Sequence, residues 1–531
     1  MTDALDLRNR DALFTDLEAD TFDVLVIGAG ITGAGIARDT AMRGLRTALV
    51  EMGDFASGTS SRSTKLVHGG LRYLAQGDIG LVREAASERM TVRRIAPHLA
   101  ISQPFILPVH SFAESTKLRA GLWTYEKLGS VPEDERHESW NVKTLQDKEP
   151  LMKTGDLSGA VVYPEYLTDD ARLTLANVRS ALAHGATVAN YAAVSGFVME
   201  NSQVTGAEIT ETLPGSTRQA VVRARVIVNA SGPWADTVRH LEDSDAPKRL
   251  QLTKGIHLIV HQSRFPVKQS AIITAQDKRS MFIVPRGQFI YIGTTDTFYD
   301  EAEHWPVVTG ADVDYLLTAT NDFFDIKPLQ REDVVSLWAG IRPLIAEPGK
   351  SPSEISRKDE TMHGKRGVIS IAGGKLTAYR QMAERIADLC EKRLNKPVSD
   401  CQTQEESLPG GNFTQSVDTL CETLITRGMS EDRALRLSRL YGDEAAAVLD
   451  KGGDAAAEAE QAVLYEGAMT LEDYWVRRSA RAWFDVEGGL AALEPAAQRM
   501  AELHGWSDDE REAQIRACRE RRDADLKVLE Q

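Results

Sequence analysis

The chain has 531 residues, a net charge of −16 and 42% hydrophobic residues, which exceeds one ordinary core and predicts two or three soluble domains. The negative charge argues against nonspecific affinity for nucleic acid. Met1 to Asp20 is studded with Asp, Glu and Arg and no stretch reaches the roughly 18 apolar residues of a membrane span, so neither a secretory signal nor a spanning helix is expected and the placement is cytoplasmic.

The first element is an apolar strand, Val24–Ile27, running into Gly28-Ala29-Gly30-Ile31-Thr32-Gly33. A helix follows from Ile31 to Arg43, then Gly44 as a stop and a second apolar run, Ala48–Val50, that ends on Glu51. This order is a dinucleotide fingerprint: glycine lets the backbone turn tightly and approach a pyrophosphate at a helix N-terminus, and the acid accepts from an adenosine ribose. Gly28, Gly30, Ile31, Thr32, Gly33 and Glu51 are therefore cofactor candidates.

Residues 81–130 are locally basic, with seven Lys and Arg against four Asp and Glu. Within them Leu99–Val109 and Leu122–Tyr125 mix apolar and aromatic residues, which suits either a headgroup region or a buried strand. Thr168 with Asp169 and Asp170 predicts a helix start, a structural role. A strand at Val221–Val228 stops on Asn229-Ala230-Ser231-Gly232, and another at Val368–Ile371 runs into Gly373-Gly374-Lys375 and a helix with Leu376, Tyr379, Met382, Ile386 and Leu389 on one face. Strands that end on small residues bring backbone close to a flat ligand, so Ser231, Gly232, Gly373, Gly374, Leu376 and Thr377 join the cofactor set.

Between these pieces Lys254–Val260 and the pair Met281–Pro285 and Gln288–Gly293 read as strands, the pair as a hairpin. Thr294-Thr295-Asp296 reads as a turn held by side-chain bonds. Glu406–Gly411 is a linker, and beyond it the sequence is helical in period. Residues 401–531 carry 27 Asp and Glu against 15 Lys and Arg. The four cysteines, all in the last third, show no metal or disulfide spacing and read as thiols; no metal site is expected. The expected division is an arm at 1–20, a discontinuous nucleotide domain at 21–75, 160–250 and 335–400, insert regions at 76–159 and 251–334, and a helical domain at 406–531.

Three separated backbone approaches suit a long flavin dinucleotide better than a nicotinamide one. Thr59–Leu74, Thr168–Leu173, Lys254–His257, Ile292–Asp296, Gly340–Leu344 and Gly373–Arg380, in this order from about Asp23 to Arg380, resemble the FAD-dependent, quinone-reducing glycerol-3-phosphate dehydrogenases. The resemblance implies an α/β fold: a discontinuous Rossmann-like FAD-binding domain, a β-rich substrate-binding insert and an α-helical C-terminal domain. It implies noncovalent FAD lined also by Thr59, Ser60, Ser63, Thr64, Lys65 and Leu66. Arg72, Tyr73, His257, Arg342, Arg357 and Lys375 would surround sn-glycerol 3-phosphate. It further implies electron transfer to quinone, peripheral attachment to the inner face of the cell membrane, and a homodimer.

A phosphate monoester calls for guanidinium forks and a point-charge lysine, which Arg72, Arg342, Arg357 and Lys375 supply. Alcohol oxidation also needs a proton acceptor. His257 and His68 are the candidates, and an arginine-rich site that stabilises an alkoxide is the alternative. Three other readings stay open at this point: a glycerol-3-phosphate oxidase that reduces oxygen to peroxide, a flavin-containing RNA-modifying protein and a nicotinamide dehydrogenase.

Overall fold

Parallel pairing on both sides of the strand Phe22–Ile27 creates the crevice on which the site is built. In the computed structural model, which describes residues 4–69, 79–129, 131–347, 349–352, 354–356, 358–413 and 415–530, this strand lies between Thr47–Val50 and Gln219–Asn229. Thr187–Ala189 extends the sheet beyond Thr47–Val50, and Ile369–Gly373 followed by Asp359–His363 extends it beyond Gln219–Asn229. The chain leaves Phe22–Ile27 toward one neighbour and returns much later on the other side, so the strand ends open on a topological switch point.

Helices Ile31–Met42, Asp170–Ala183 and Tyr379–Arg393 cover one face of this sheet. The approach is close: a Cβ on Gly35 would lie 2.9 Å from Tyr379 Cδ2. The opposite face packs on Arg10–Ala19, where Phe14 and Leu17 join Leu25, Val50, Ala207 and Ile209 in one core. The residues expected to form an N-terminal arm are thus partly a helix built into the nucleotide domain, capped by Asn9 accepting from Ala12 N.

The second sheet centres on Leu250–His261, flanked by Val334–Ile345 and the hairpin Ser280–Arg286 and Phe289–Gly293. Ser270–Thr274, Ile101–Val109 and Gly159–Leu167 continue it. The expected boundaries at 160 and 335 fall inside Gly159–Leu167 and Val334–Ile345, both of which pair within this sheet. Ile101–Val109 is an interior strand with Phe105 and Ile106 fully buried, the strand reading that the sequence also allowed for Leu99–Val109.

After the linker, helices from Val417 to Leu526 form the helical domain. It docks through buried ion pairs rather than through apolar contacts alone. Arg477 and Arg478, on consecutive positions of a π-helical turn at Asp473–Arg478, both bind Asp54. Arg172 pairs with Glu466 at 2.6 Å and Arg179 with Glu444 at 2.7 Å. The Trp305 ring sits between two guanidinium groups, Arg62 at 4.1 Å and Arg521 at 4.7 Å. All four cysteines are free, and no described helix is long and apolar enough to cross a membrane.

Candidate active site

The glycine turn after Phe22–Ile27 opens on a cavity of about 1400 Å³. Gly28 has φ of +100°, and a Cβ there would lie 2.7 Å from Ser231 Cα, so the first turn and the end of Gln219–Asn229 touch through backbone. A Cβ on Gly33 would overlap the Gly28 carbonyl, which explains the third glycine. Gly30 is the N-cap of helix Ile31–Met42 and has no side chain to offer its amides; Ile31 N donates to Ser60 Oγ at 2.9 Å.

Gly28, Gly30, Ile31, Thr32, Glu51, Thr59, Ser60, Ser63, Ser231, Gly232, Gly373, Gly374, Lys375 and Leu376 all line this cavity. The Glu51 carboxylate accepts from Ala29 N at 2.7 Å and Gly53 N at 3.0 Å while burial pushes its pKa up. Gly33 packs behind the lining, and Thr377 is buried with its Oγ1 donating to His68 O at 2.9 Å. Gly373 and Gly374 have φ of +77° and +79°, a conformation that side chains resist.

Ser63, Thr64 and Lys65 form a loop clamped from two sides, and Leu66 begins the short strand that follows. From the nucleotide domain, Asp170 accepts from Ser63 Oγ at 2.7 Å and from Lys65 Nζ at 2.6 Å. From the second sheet, Trp338 Nε1 donates to Ser63 O at 3.2 Å, and the Gly340 backbone lies so close that a Cβ would overlap Arg62 O. Asp170, read from sequence only as a helix-start residue, therefore also holds the cofactor loop and lines the cavity. Asp169 is the N-cap proper, accepting from Arg172 N.

His257, Trp338 and Arg342 share one face of the second sheet. His257 pairs with Trp338 and Gly293 across the two neighbouring strands, and Thr253 pairs with Arg342. A Cβ on Gly293 would overlap the His257 ring and one on Gly255 would overlap the Arg342 guanidinium, so both glycines make room for functional side chains. His257 Nε2 is 3.2 Å from Thr64 Oγ1. Burial first, then the charges of Arg342 and Lys65, hold its pKa well below the ordinary imidazole range, so the ring is neutral. Sequence alternation allowed a solvent-facing His257, whereas the residue is 1% exposed.

Arg342 is held as a fork, its two terminal nitrogens reaching Asp296 Oδ1 at 3.1 Å and Thr294 Oγ1 at 2.9 Å. Thr294-Thr295-Asp296 thus orients the arginine, a role that a turn reading missed. Lys375, after the paired glycines, lines the cavity, whereas His257 and Arg342 are not among its lining residues. Arg72, Tyr73 and Arg357 lie outside the described residues.

Residues 23–380 match the model of the FAD dependent oxidoreductase family, and residues 401–511 match that of the C-terminal domain of alpha-glycerophosphate oxidase. The aerobic glycerol-3-phosphate dehydrogenase of Staphylococcus aureus is 40% identical over 96% of both chains, and that of Staphylococcus epidermidis 39% identical over the same shares. The chain belongs to the FAD-dependent aerobic glycerol-3-phosphate dehydrogenase family. Across 99% of both chains its fold matches the glycerol-3-phosphate dehydrogenase of Bacillus halodurans, solved in complex with FAD, with a TM-score of 0.82 and 35% identity. The L-alpha-glycerophosphate oxidase of Mycoplasma pneumoniae shares the fold over 73% of this chain, with a TM-score of 0.57 and 14% identity.

The cavity fits the family's cofactor. Side-chain-free positions at Gly28 and Gly30, a helix N-terminus facing inward and an acid at the end of the second strand are the donor set that a dinucleotide requires. Trp234, Ala193, Val194, Thr237 and Leu241 complete the wall and were not read as site residues. The Trp234 and His304 rings meet at a tilt of 33° with centroids 4.7 Å apart, a contact between segments 70 residues apart that no local pattern signals.

Proposed function

We propose that this protein oxidises sn-glycerol 3-phosphate to dihydroxyacetone phosphate and passes the electrons to a membrane quinone. The observation that supports the reading is a dinucleotide cavity lined by Lys375 and Ser63, with a neutral, buried His257 bonded to the adjoining Thr64 and an oriented Arg342 fork on the same sheet face as His257. FAD, when bound, supplies the hydride acceptor. Gly28, Gly30 and the first turn of Ile31–Met42 would hold its pyrophosphate, with Gly33 packed behind them, Glu51 its ribose, and the Thr59–Leu66 segment its flavin end.

Arg342 and Lys375 bind the phosphate of the substrate, aided by Arg72, Tyr73 and Arg357 as the resemblance implies. The guanidinium reaches a phosphate only as a fork, and Asp296 with Thr294 fixes that orientation before substrate arrives. His257 is unprotonated and so free to accept the hydroxyl proton, a transfer in which the bound anionic substrate must offset the burial and the Arg342 and Lys65 charges that disfavour its cation. Thr64 Oγ1 keeps the ring in place. His68 stands nearby through its backbone bond with Thr377 and is the second candidate for the proton.

Peripheral attachment is supported by the helix Phe112–Leu128. Phe112 is 82% and Trp123 59% exposed, and they share a face with Arg119 and Lys127. Aromatic and basic side chains on one exposed helical face suit the headgroup region of an anionic bilayer. The protein is read as a homodimer on the cytoplasmic side.

The acceptor is tested by turnover with a soluble quinone and with air. Quinone-coupled turnover with little peroxide supports the reading; one peroxide per substrate consumed, at a rate unaffected by quinone, makes the protein an oxidase instead.

A further inference from the structure

Between the helical domain and the second sheet lies another cavity, partly open to solvent, on the far side of the Thr168–Asp170 corner from the cofactor site. Its walls are mainly apolar, with Leu435, Leu440, Phe289 and Phe484 facing the interior. Arg439, in the last turn of helix Glu431–Tyr441, projects into it and makes no hydrogen bond or ion pair among the described residues; its Nε is fully shielded from solvent.

The other charged side chains of this wall, Glu487 apart, are engaged. Arg286 pairs with Asp169 at 2.8 Å and stacks on Phe484 at 4.2 Å. Arg436 binds both oxygens of Glu458 at 2.8 Å, and Arg481 binds Glu458 and Asp485. Arg433 donates to Gly453 O at 2.6 Å, Asp432 accepts from Gln288 Nε2, and Asp454 caps its helix. Glu487 is exposed at the mouth, and Asp418 influences Arg439 only through space. Burial and the Arg286 charge both disfavour the Arg439 cation. The half-buried guanidinium has its Nε shielded and no protein partner, which leaves its fork open to an anion entering the cleft.

We propose that this cavity is a binding site for an amphipathic carboxylate, its head paired with the Arg439 fork and its aliphatic body laid along Leu435, Leu440 and the Phe289 and Phe484 rings. One uncommitted cation calls for a monoanion, and the guanidinium fork matches a carboxylate in two parallel bonds. The apolar walls supply the remaining affinity through the methylenes they take out of water.

The test is calorimetric titration of the FAD-loaded protein with decanoate, with decanol and inorganic phosphate run beside it. Saturable binding of one decanoate per chain is expected, at least tenfold tighter than decanol, with no measurable phosphate binding. Arg439→Gln should weaken decanoate at least tenfold, and Arg433→Gln at the rim less than twofold. Arg439 makes no structural bond, so its variant should keep the wild-type melting temperature; a variant that melts early is replaced by Arg439→Lys, for which partial binding is expected. Absence of saturable decanoate binding, equal affinity for decanol, or a neutral soluble quinone bound equally by wild type and Arg439→Gln would overturn the proposal.

Discussion

The imidazole of His257 stacks on the indole of Trp338, with ring centroids 4.7 Å apart and planes inclined by 16°. The two residues are direct partners across adjacent antiparallel strands, so the sheet register itself sets the contact. Trp338 also donates to Ser63 O, so one side chain orients both the proposed proton acceptor and the cofactor loop.

His257→Gln should keep the fold and FAD while lowering kcat about 10²–10⁴-fold, the range of a lost general base, with substrate affinity little changed. Stopped-flow flavin reduction checks it. A loss below threefold would move the proton to His68 or to electrostatic stabilisation by the arginines.

Arg342→Lys keeps the charge but loses the fork that Asp296 and Thr294 orient. A drop in kcat/KM on the order of 2–4 kcal/mol is expected, carried largely by KM for sn-glycerol 3-phosphate. Steady-state kinetics with a dye acceptor measures it, and an unchanged KM would remove Arg342 from the phosphate.

Acid stability follows from His98, buried between the nucleotide domain and the helical domain with its pKa pushed from 6.5 down to about 3 by burial and by Arg172. Above pH 6.5 neither the folded nor the unfolded state holds the proton, and the stability is complete. As pH falls below 6.5 the unfolded chain binds a proton that the folded state refuses, and stability declines until about pH 3. Between pH 7 and 5 the loss from this residue is on the order of 2 kcal/mol. Denaturant unfolding at both pH values should show a smaller acid loss in His98→Gln than in wild type.

Replacing Lys117, Arg119 and Lys127 by Glu should release the protein from anionic vesicles while dye-linked activity persists, since these exposed positions lie on the helix and not on the cofactor cavity. Arg93 and Arg94, in the same basic stretch, are committed to Ala100 O and Gln404 O and make poor lipid contacts. Vesicle flotation reads the outcome; full retention would remove this helix as the contact surface.

The nucleotide half was legible because its signal is local: strand, glycine turn, helix and terminal acid follow one another within 30 residues. The rest depended on register. Nothing near Asp170 in sequence indicates that it grips Lys65 from 105 positions away. Gly255 and Gly293 were quoted within motifs without a role, because the side chains they make room for reach them across the sheet. Leu99–Val109 carried apolar residues compatible with lipid or with a core, and the parallel and antiparallel partners that bury it come from residues 270–274 and 159–167. Arg439 carries no local signal, because the opposite wall of its cavity comes from residues 286–289.

The most direct test is anaerobic mixing of the FAD-loaded protein with sn-glycerol 3-phosphate while flavin absorbance near 450 nm is followed. The account predicts rapid bleaching, restored by a soluble quinone. Unbleached flavin in protein shown to contain FAD would contradict it, because the phosphate and proton sites assigned to Arg342, Lys375 and His257 would then serve some other substrate.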